Sequence, residues 1–546
     1  MEVAGRPGGG TPPGATPPPD RPTAPPALSL RSGIADLVVR NTLCSNLGYL
    51  ARVALAFFVT PYIFHSLGKD LFGIWILSAT IVGYFTLFDL GIGAAVVTFT
   101  AEHFAFDDRQ EIRRLMATAL ICYAGLSLLF LPVALVPCLH ELLVDLFRVE
   151  AIHRYDFVFV LVAAVCTFVF AFVFNVFQYV LRGLQRMDLT SAISVAMAIV
   201  SAVGTVLVLA LGWGVRGLAL FTLGVQIASV AAHAGVLWRF YPWAVPDFSR
   251  LHAEGFRRFL RFGVKLQGAS ICGLINFSFD KLLIGHSLGM ALVGLYEIGS
   301  RIAGFIRELP LLMLPAITPA ASTLAASGDR PGVLKLYLRS SRYLILLSAA
   351  LACYVICLAP TLMRVWINPD NPADAVRAAR LLGIGYFFNI VTGVGTAVGR
   401  GVAQPQYELR ANALTAALNV LFSVAMLYAF GFVGLLLGTS AALTIGNSYY
   451  LLAFHRGYFM DEGSGQIFRL FAPPLLASLP AAALLLLAQA LWLPSLAGGQ
   501  AGRVIGLGCL GLSALGYSGI YGGSLWALGY LDRGDLDIFR RYRLGA

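Results

Sequence analysis

Apolar runs of about 20 residues follow one another along almost the whole chain, with short polar breaks between them. Each run is long enough to cross a hydrocarbon layer as a helix. In lipid the backbone N–H and C=O groups have no water to bond, so such runs must satisfy them internally. A chain built this way folds as an all-α, polytopic membrane protein. Composition agrees: 12% of the 546 residues are charged, against about a quarter in soluble domains. No soluble domain of useful size fits between the runs.

Fourteen transmembrane helices are expected, at 41–64, 72–99, 115–138, 157–181, 190–211, 218–238, 263–285, 291–320, 343–360, 380–399, 410–430, 434–454, 470–493 and 504–530. The eleventh and twelfth are joined only by Gly431-Phe-Val-Gly434, a tight helical hairpin. With the N-terminus placed inside, inner segments hold 27 Lys and Arg and outer loops hold 8. That bias puts both termini in the cytoplasm. The net charge of +11 is therefore distributed as an orientation signal, and no nucleic-acid partner is expected.

Residues 1–35, rich in Pro, Gly and Thr, read as a disordered cytoplasmic tail without a signal-peptide core. Residues 241–262 carry Arg250, Arg257, Arg258 and Arg261 and read as a basic amphipathic linker. It either lies on the lipid of the inner leaflet or only marks orientation. Residues 531–546 form a cytoplasmic tail. The eight cysteines sit mostly in apolar runs and form no C-x-x-C pair. They read as small buried hydrophobes, and no metal or cofactor is implied.

A repeat organises the runs. H-S-L-G-K-D-L-F-G-I-W, ending at Trp75, is echoed 221 residues later by H-S-L-G-M-A-L-V-G-L-Y, ending at Tyr296. At the same offset Gly83 falls on Gly304, and near it Arg182-Gly183 falls on Arg400-Gly401. Six spans separate the copies, so the halves share one orientation and relate by an axis along the membrane normal. Two pseudo-symmetric six-helix lobes follow, at 36–240 and 263–456, with two additional C-terminal spans in 457–530. Gly68 and Gly289 read as turn devices at the outer face. His65 and His286 read as helix-end residues there and not as ligands.

The first lobe carries P-Y-I-F-H-S-L-G-K-D-L-F-G-I-W, then G-Y-F-T-L-F-D-L-G-I-G-A-A-V from Gly83, then L-R-G-L-Q-R-M-D from Leu181. The second carries D-K-L-L-I-G-H-S-L-G and V-G-L-Y-E-I. In order and spacing this resembles the polysaccharide transporter (O-antigen and exopolysaccharide flippase) family of the multidrug/oligosaccharidyl-lipid/polysaccharide exporter superfamily. The resemblance covers roughly residues 40–460. It implies a two-lobed bundle around a central cavity in a bacterial cytoplasmic (inner) membrane. It implies flipping of a polyprenyl-diphosphate-linked oligosaccharide between leaflets by alternating access, with a polysaccharide polymerase and a chain-length regulator as partners. A lipid II flippase or multidrug exporter of the same superfamily is the alternative. A polyprenyl-dependent glycosyltransferase or polymerase fits less well: the outer loops are short, and the one D-x-D, Asp535-Leu-Asp537, is in the C-terminal tail. The protein is read as a transporter, not an enzyme, with no catalytic residues.

Ionisable groups at bilayer depth are expensive, so each is a functional candidate. Arg52 sits mid-span, and its planar fork suits a diphosphate; a structural ion pair is the other reading, with Asp89 as rival partner. Asp89 would otherwise cap a helix break before Gly91. Glu297, Arg301 and Glu308 share a helical face of the eighth span, with Arg307 off it. Glu297 and Arg301 are spaced to pair with each other. Pro310, Pro315 and Pro319 should then kink that helix. Arg52, Glu297, Arg301 and Arg307 are the substrate-binding candidates. Asp89, Asp280, Lys281 and Glu308 are candidates for coupling or structural ion pairs. Arg182, Arg186 and Arg400, in matching inner loops, would meet a diphosphate on its way in or would only mark orientation. The four deep cations are matched by four acids, so the sequence shows no net cationic lumen.

Overall fold

The computed structural model describes residues 29–249, 253–367, 373–460, 464–492 and 499–530; these form helices and short turns, with no strand among them. The first lobe runs α1 (Ser29–Tyr84), α2 (Ile92–Ala105), α3 (Arg109–Ser127), α4 (Leu131–Leu135), α5 (Pro137–Leu146), α6 (Arg154–Phe174), α7 (Val176–Gly183), α8 (Met187–Ala210) and α9 (Gly214–Phe240). The second runs α10 (Ala253–Ser287), α11 (Met290–Leu311), α12 (Ile317–Ala326), α13 (Arg330–Trp366), α14 (Ala373–Val391), α15 (Gly393–Gly401) and α16 (Gln406–Tyr458). Then come α17 (Ser464–Arg469), α18 (Ala472–Trp492) and α19 (Gly499–Ala527).

Ten helical segments among the described residues are long and apolar enough to cross a membrane. Gly48–Asp89 holds most of the first and second expected spans, the second breaking at Leu90 and Gly91 and finishing in α2, and Gln406–Tyr458 holds two expected spans. They divide at Gly68 (φ 76°) and Gly431 (φ 62°), a conformation that only glycine adopts without strain. The remaining eight segments match one expected span apiece. Of the other two expected spans, the third is split into α3, α4 and α5 by Pro132 and Pro137, and the seventh lies in α10. Outward faces are apolar throughout, as at Leu479, Leu486, Leu487, Leu491 and Leu512. A surface of that kind is stable against lipid, not water.

Two expected boundaries move. Helix α1 opens at Ser29, so residues 29–35 belong to it and not to the tail; residues 1–28 and 531–546 lie outside the described residues. The amphipathic linker is not a separate helix. Residues 241–249 run without helix, tied to α3 by Arg113 donating to the Val245 carbonyl at 2.9 Å. Positions 253–262 instead open α10, because no proline separates them from the seventh span. Arg250 lies outside the described residues.

In the first lobe α1, α6, α8 and α9 pack together; in the second α10, α11, α13, α14 and α16 do. The lobes meet chiefly where α1 crosses α11. Helices α18 and α19 attach to α13, where Tyr517, Tyr521 and Leu525 bury against Ala477, Ala481 and Leu358. The proline-rich stretch breaks the eighth span as expected: α11 ends at Leu311 and a 3-10 turn, Leu314–Ala316, leads into α12.

Candidate functional site

Arg52 lies in an apolar stretch of α1, and Gly48, one turn before it, leaves space for its side chain. A Cβ at Gly48 would stand 3.5 Å from Arg52 Nη1. The guanidinium faces a cavity of about 270 Å³ between α1, α8, α9 and α11. Thr60, Ile63, Phe72 and Trp75 of α1 line it, with Ser201 and Thr205 of α8, Thr222 of α9 and Arg301 of α11. Two arginines, one from each lobe, thus share one cavity, and no carboxylate is among its lining residues. A second, apolar chamber adjoins it across Trp75 and Thr222 and reaches Val82, Val160 and Phe168.

Arg301 is held in place at three points of a chain. Lys281 Nζ lies 2.7 Å from Glu297 Oε2. Glu297 Oε1 accepts from Arg301 Nε at 2.7 Å, the expected i, i+4 pair. Arg301 Nη1 then donates to Thr60 Oγ1 of the other lobe at 2.6 Å. One carboxylate serves two cations, so this chain carries a net positive charge to the cavity wall. Glu297 is buried while Arg301 stays partly open to the cavity. A guanidinium needs only some of its five N–H donors for this anchoring, which leaves others for a ligand.

Asp89 and Asp280 are engaged away from the cavity. Asp89 does not pair with Arg52, and it does not cap α2, whose N-cap is Gly91. It ends a 3-10 turn before Leu90 and Gly91, both at positive φ, and accepts the buried Tyr123 hydroxyl of α3. Asp280 does not pair with Lys281. It is 1% exposed and accepts the hydroxyls of Tyr296 and Thr439, each at 2.7 Å. Ser423, 3.0 Å from Thr439, extends that network to Asn419. Lys281, 18% exposed, is held by its ion pair with Glu297. Among the described residues Arg52 forms no ion pair. Arg307 stands over the Phe277 ring at 4.0 Å, and Tyr49, three residues before Arg52, lies within electrostatic range of Glu308, Arg307 and Arg52. Of the four deep acids, Asp89 and Asp280 therefore balance no cation at the cavity.

The three inner-loop arginines do not form one cluster of free cations. Arg186 pairs with Asp188 at 3.2 Å and lies over the Phe240 ring. Arg400 Nε donates to Glu408 at 2.8 Å. Arg182 is exposed at the end of α7. Second-lobe amides bond between helices, as when Thr392 donates to Asn447 at 3.1 Å.

Sequence reasoning missed the hydroxyls. Thr60 lies eight residues from Arg52, on its helical face, and Ser201 and Thr205 are one turn apart on α8. Hydroxyls recurring on one face of an apolar span were the signal available.

Residues 38–325 match the sequence family described as polysaccharide biosynthesis protein, and residues 269–425 match the one described as MatE. No curated protein gives a significant match. Among solved structures, the chain is similar to the lipid II flippase MurJ in an inward closed conformation, with TM-score 0.68 and 16% identity over 88% of this chain and 99% of that one. It is also similar to an inward-facing multidrug resistance MATE family transporter of the MOP superfamily, with TM-score 0.65 and 16% identity over 77% and 98%. A third likeness is to a MOP superfamily transporter from Pyrococcus furiosus, whose binding pocket is described as having reverse polarity, at TM-score 0.56 and 16% identity over 79% and 96%. At these identities the likeness is one of fold.

Proposed function

We propose, given that this chain belongs to the polysaccharide biosynthesis protein family, that it flips a polyprenyl-diphosphate-linked oligosaccharide from the cytoplasmic to the outer leaflet of a bacterial inner membrane. The observation that carries this reading is the cavity wall: Arg52 and Arg301 face one space whose lining residues include no acid. Two guanidiniums in a low-dielectric site favour a dianionic, fork-compatible group such as a diphosphate. Hydroxyls of Thr60, Ser201, Thr205 and Thr222 supply the neutral bonding that a sugar uses, and Trp75 offers a ring face to it.

The two arginines come from different lobes, so an anion between them is gripped by both. Separating the lobes at one end and closing them at the other would carry that anion across while its isoprenoid tail stays in lipid. Partners follow from the product: a polymerase and a chain-length regulator would consume the flipped unit. The positive-inside bias supports cytoplasmic termini.

The test is deletion followed by complementation in the native host. Loss of the protein should leave a lipid-linked repeat unit accumulating on the inner leaflet. Arg52→Ala should reproduce that accumulation at normal protein level, and Arg52→Lys should restore only part of the export. Normal polymer export by Arg52→Ala would refute the role of this cavity.

A further inference from the structure

The duplicated H-S-L-G motif is not used by the cavity chemistry, yet the structure places both copies at the lobe–lobe contact. His65 Nε2 meets the carbonyl of Ile367, at the C-terminal end of α13 in the second lobe. His286 Nδ1 meets the carbonyl of Leu146, at the C-terminal end of α5 in the first lobe, at 2.6 Å. The acceptors are themselves 221 residues apart, like the histidines. A carbonyl only accepts, so each of these ring nitrogens carries the proton and donates. Carbonyls in the last turn of a helix lack an intrahelical partner and sit at the negative end of its dipole, which suits such a donor.

The second glycine of each copy repeats the pattern. A Cβ on Gly73 would stand 1.9 Å from the Met290 carbonyl oxygen, and one on Gly294 would stand 3.0 Å from that of Lys69. Lys69 and Met290 are again 221 residues apart. Gly68 and Gly289, at φ 76° and 92°, turn the chain so that the glycine-bearing helices cross backbone to backbone. Every contact therefore occurs twice, as an isologous interface requires. Ile63 and Phe72, which flank this contact on α1, also line the cavity. The contact thus closes one end of the space that Arg52 and Arg301 share.

We infer that the two motif copies form a pseudo-two-fold gate that shuts the outer end of the cavity, and that both His–carbonyl bonds and both glycine crossings must part for the cavity to open there. The inference rests on reading the lobes as alternating between two openings. Gly73 and Gly294 allow close approach when the gate is shut, and the histidines latch it. Backbone acceptors leave no side chain on the other lobe for a substitution to remove, so each latch is broken only through its histidine.

The test is hydrogen–deuterium exchange of the full chain in lipid nanodiscs, without substrate, for wild type, His65→Ala, His286→Ala, the double variant and Gly73→Val, with Gly235→Ala as control. Gly235 lies in α9 with no atom near its absent Cβ. Each histidine variant should raise exchange at 64–76 and 286–298 by about fivefold, the loss of one modest hydrogen bond. The two should act alike, and the double variant more strongly. Peptides at the opposite end, 183–190 and 401–408, should become slower, because opening one end closes the other. Exchange unchanged at both ends, or faster at the outer end with no response at the inner end, would overturn the gate. If Gly73→Val fails to fold, the exposed histidine variants still decide the question. Normal export by Arg52→Ala would not touch this result, and an unresponsive gate would leave the anion-binding reading standing.

Discussion

The closed end of the cavity and the cavity itself are built on opposite plans. At the closed end the partners repeat: His65 and His286, Leu146 and Ile367, Gly73 and Gly294, Lys69 and Met290 are all pairs at one offset. In the cavity the repeat fails. At that offset Arg52 falls on Gly273, Arg301 on Thr80, Glu297 on Ile76 and Thr60 on Lys281. The difference has a physical cause. Two like lobes closing on each other need the same residues on both sides, since each side is donor and acceptor in turn. A ligand with a charged end and a neutral end has no two-fold axis, so its site must differ from lobe to lobe. The chain from Lys281 through Glu297 and Arg301 to Thr60 makes the point directly, because it joins a position of one lobe to its own counterpart in the other.

The largest effect that would sharpen this contrast is at Glu297. Glu297→Gln removes the one carboxylate between Lys281 and Arg301 and leaves two cations facing each other in a buried site. Breaking a buried pair from one side costs about 3–5 kcal/mol. A marked fall in the melting temperature of the purified protein is expected; an unchanged value would show that the chain is not structural. Lys281→Met in the same background should recover much of the loss, since it removes the stranded charge.

Arg52 should behave in the reverse way. It makes no ion pair among the described residues, so Arg52→Ala leaves no partner stranded and the melting temperature should move little. Transport should fall about a hundredfold, the value of charge-assisted bonds to an anion lost from a dry site. Proteoliposome flipping of a fluorescent polyprenyl-diphosphate sugar would measure it. Moving the charge to its pseudo-symmetric position, with Arg52→Gly and Gly273→Arg together, should not rescue flipping if asymmetry is what the site uses. Rescue would show that only total charge matters.

A smaller effect is expected at Asp280. Thr439→Val takes one of two hydroxyl donors from a carboxylate that is 1% exposed, at a cost of about 1–3 kcal/mol. Tyr296→Phe takes the other. Because both donors serve one oxygen, the double variant should cost less or more than the sum, and thermal unfolding of the four proteins would measure the coupling. Additive losses would show that the two hydroxyls do not act through a shared carboxylate.

Span positions were legible in the sequence because a bilayer imposes one length on every crossing. The lobes were legible because the repeat preserves offset. What failed was pairing. From sequence, Asp89 was the natural partner for Arg52, and Asp280 was a candidate for coupling or an ion pair, since carboxylates were the conspicuous acceptors. In the structure Asp89 and Asp280 take tyrosine and threonine hydroxyls, from Tyr123, Tyr296 and Thr439. Neutral hydroxyls in an apolar run look like ordinary span residues, and only the packing of helices far apart in sequence brings them to the acids. The same blindness hid the role of His65 and His286. Their partners are backbone carbonyls of the other lobe, which no side-chain pattern reveals, although the helix-end position followed from the repeat.

The smallest expected effect bears on the inner arginines. Arg182 and Arg400 also repeat, at an offset of 218 beside the gate's 221, which by the contrast above sets them with the scaffold and not with the ligand-reading residues. Arg400 already has a partner: it is 60% exposed and paired with Glu408. An exposed pair of this kind contributes about 0–1 kcal/mol, so Arg400→Ala should move the melting temperature little and change the flipping rate by less than about fivefold. Arg186, similarly occupied by Asp188, should tolerate alanine as well. The decisive measurement is initial uptake from the inner face at low substrate. If Arg400→Ala slows uptake tenfold while Arg52→Ala leaves uptake intact and blocks release, then anion recognition begins on repeated residues. In that case the division between a symmetric scaffold and an asymmetric site would have to be redrawn nearer the membrane surface.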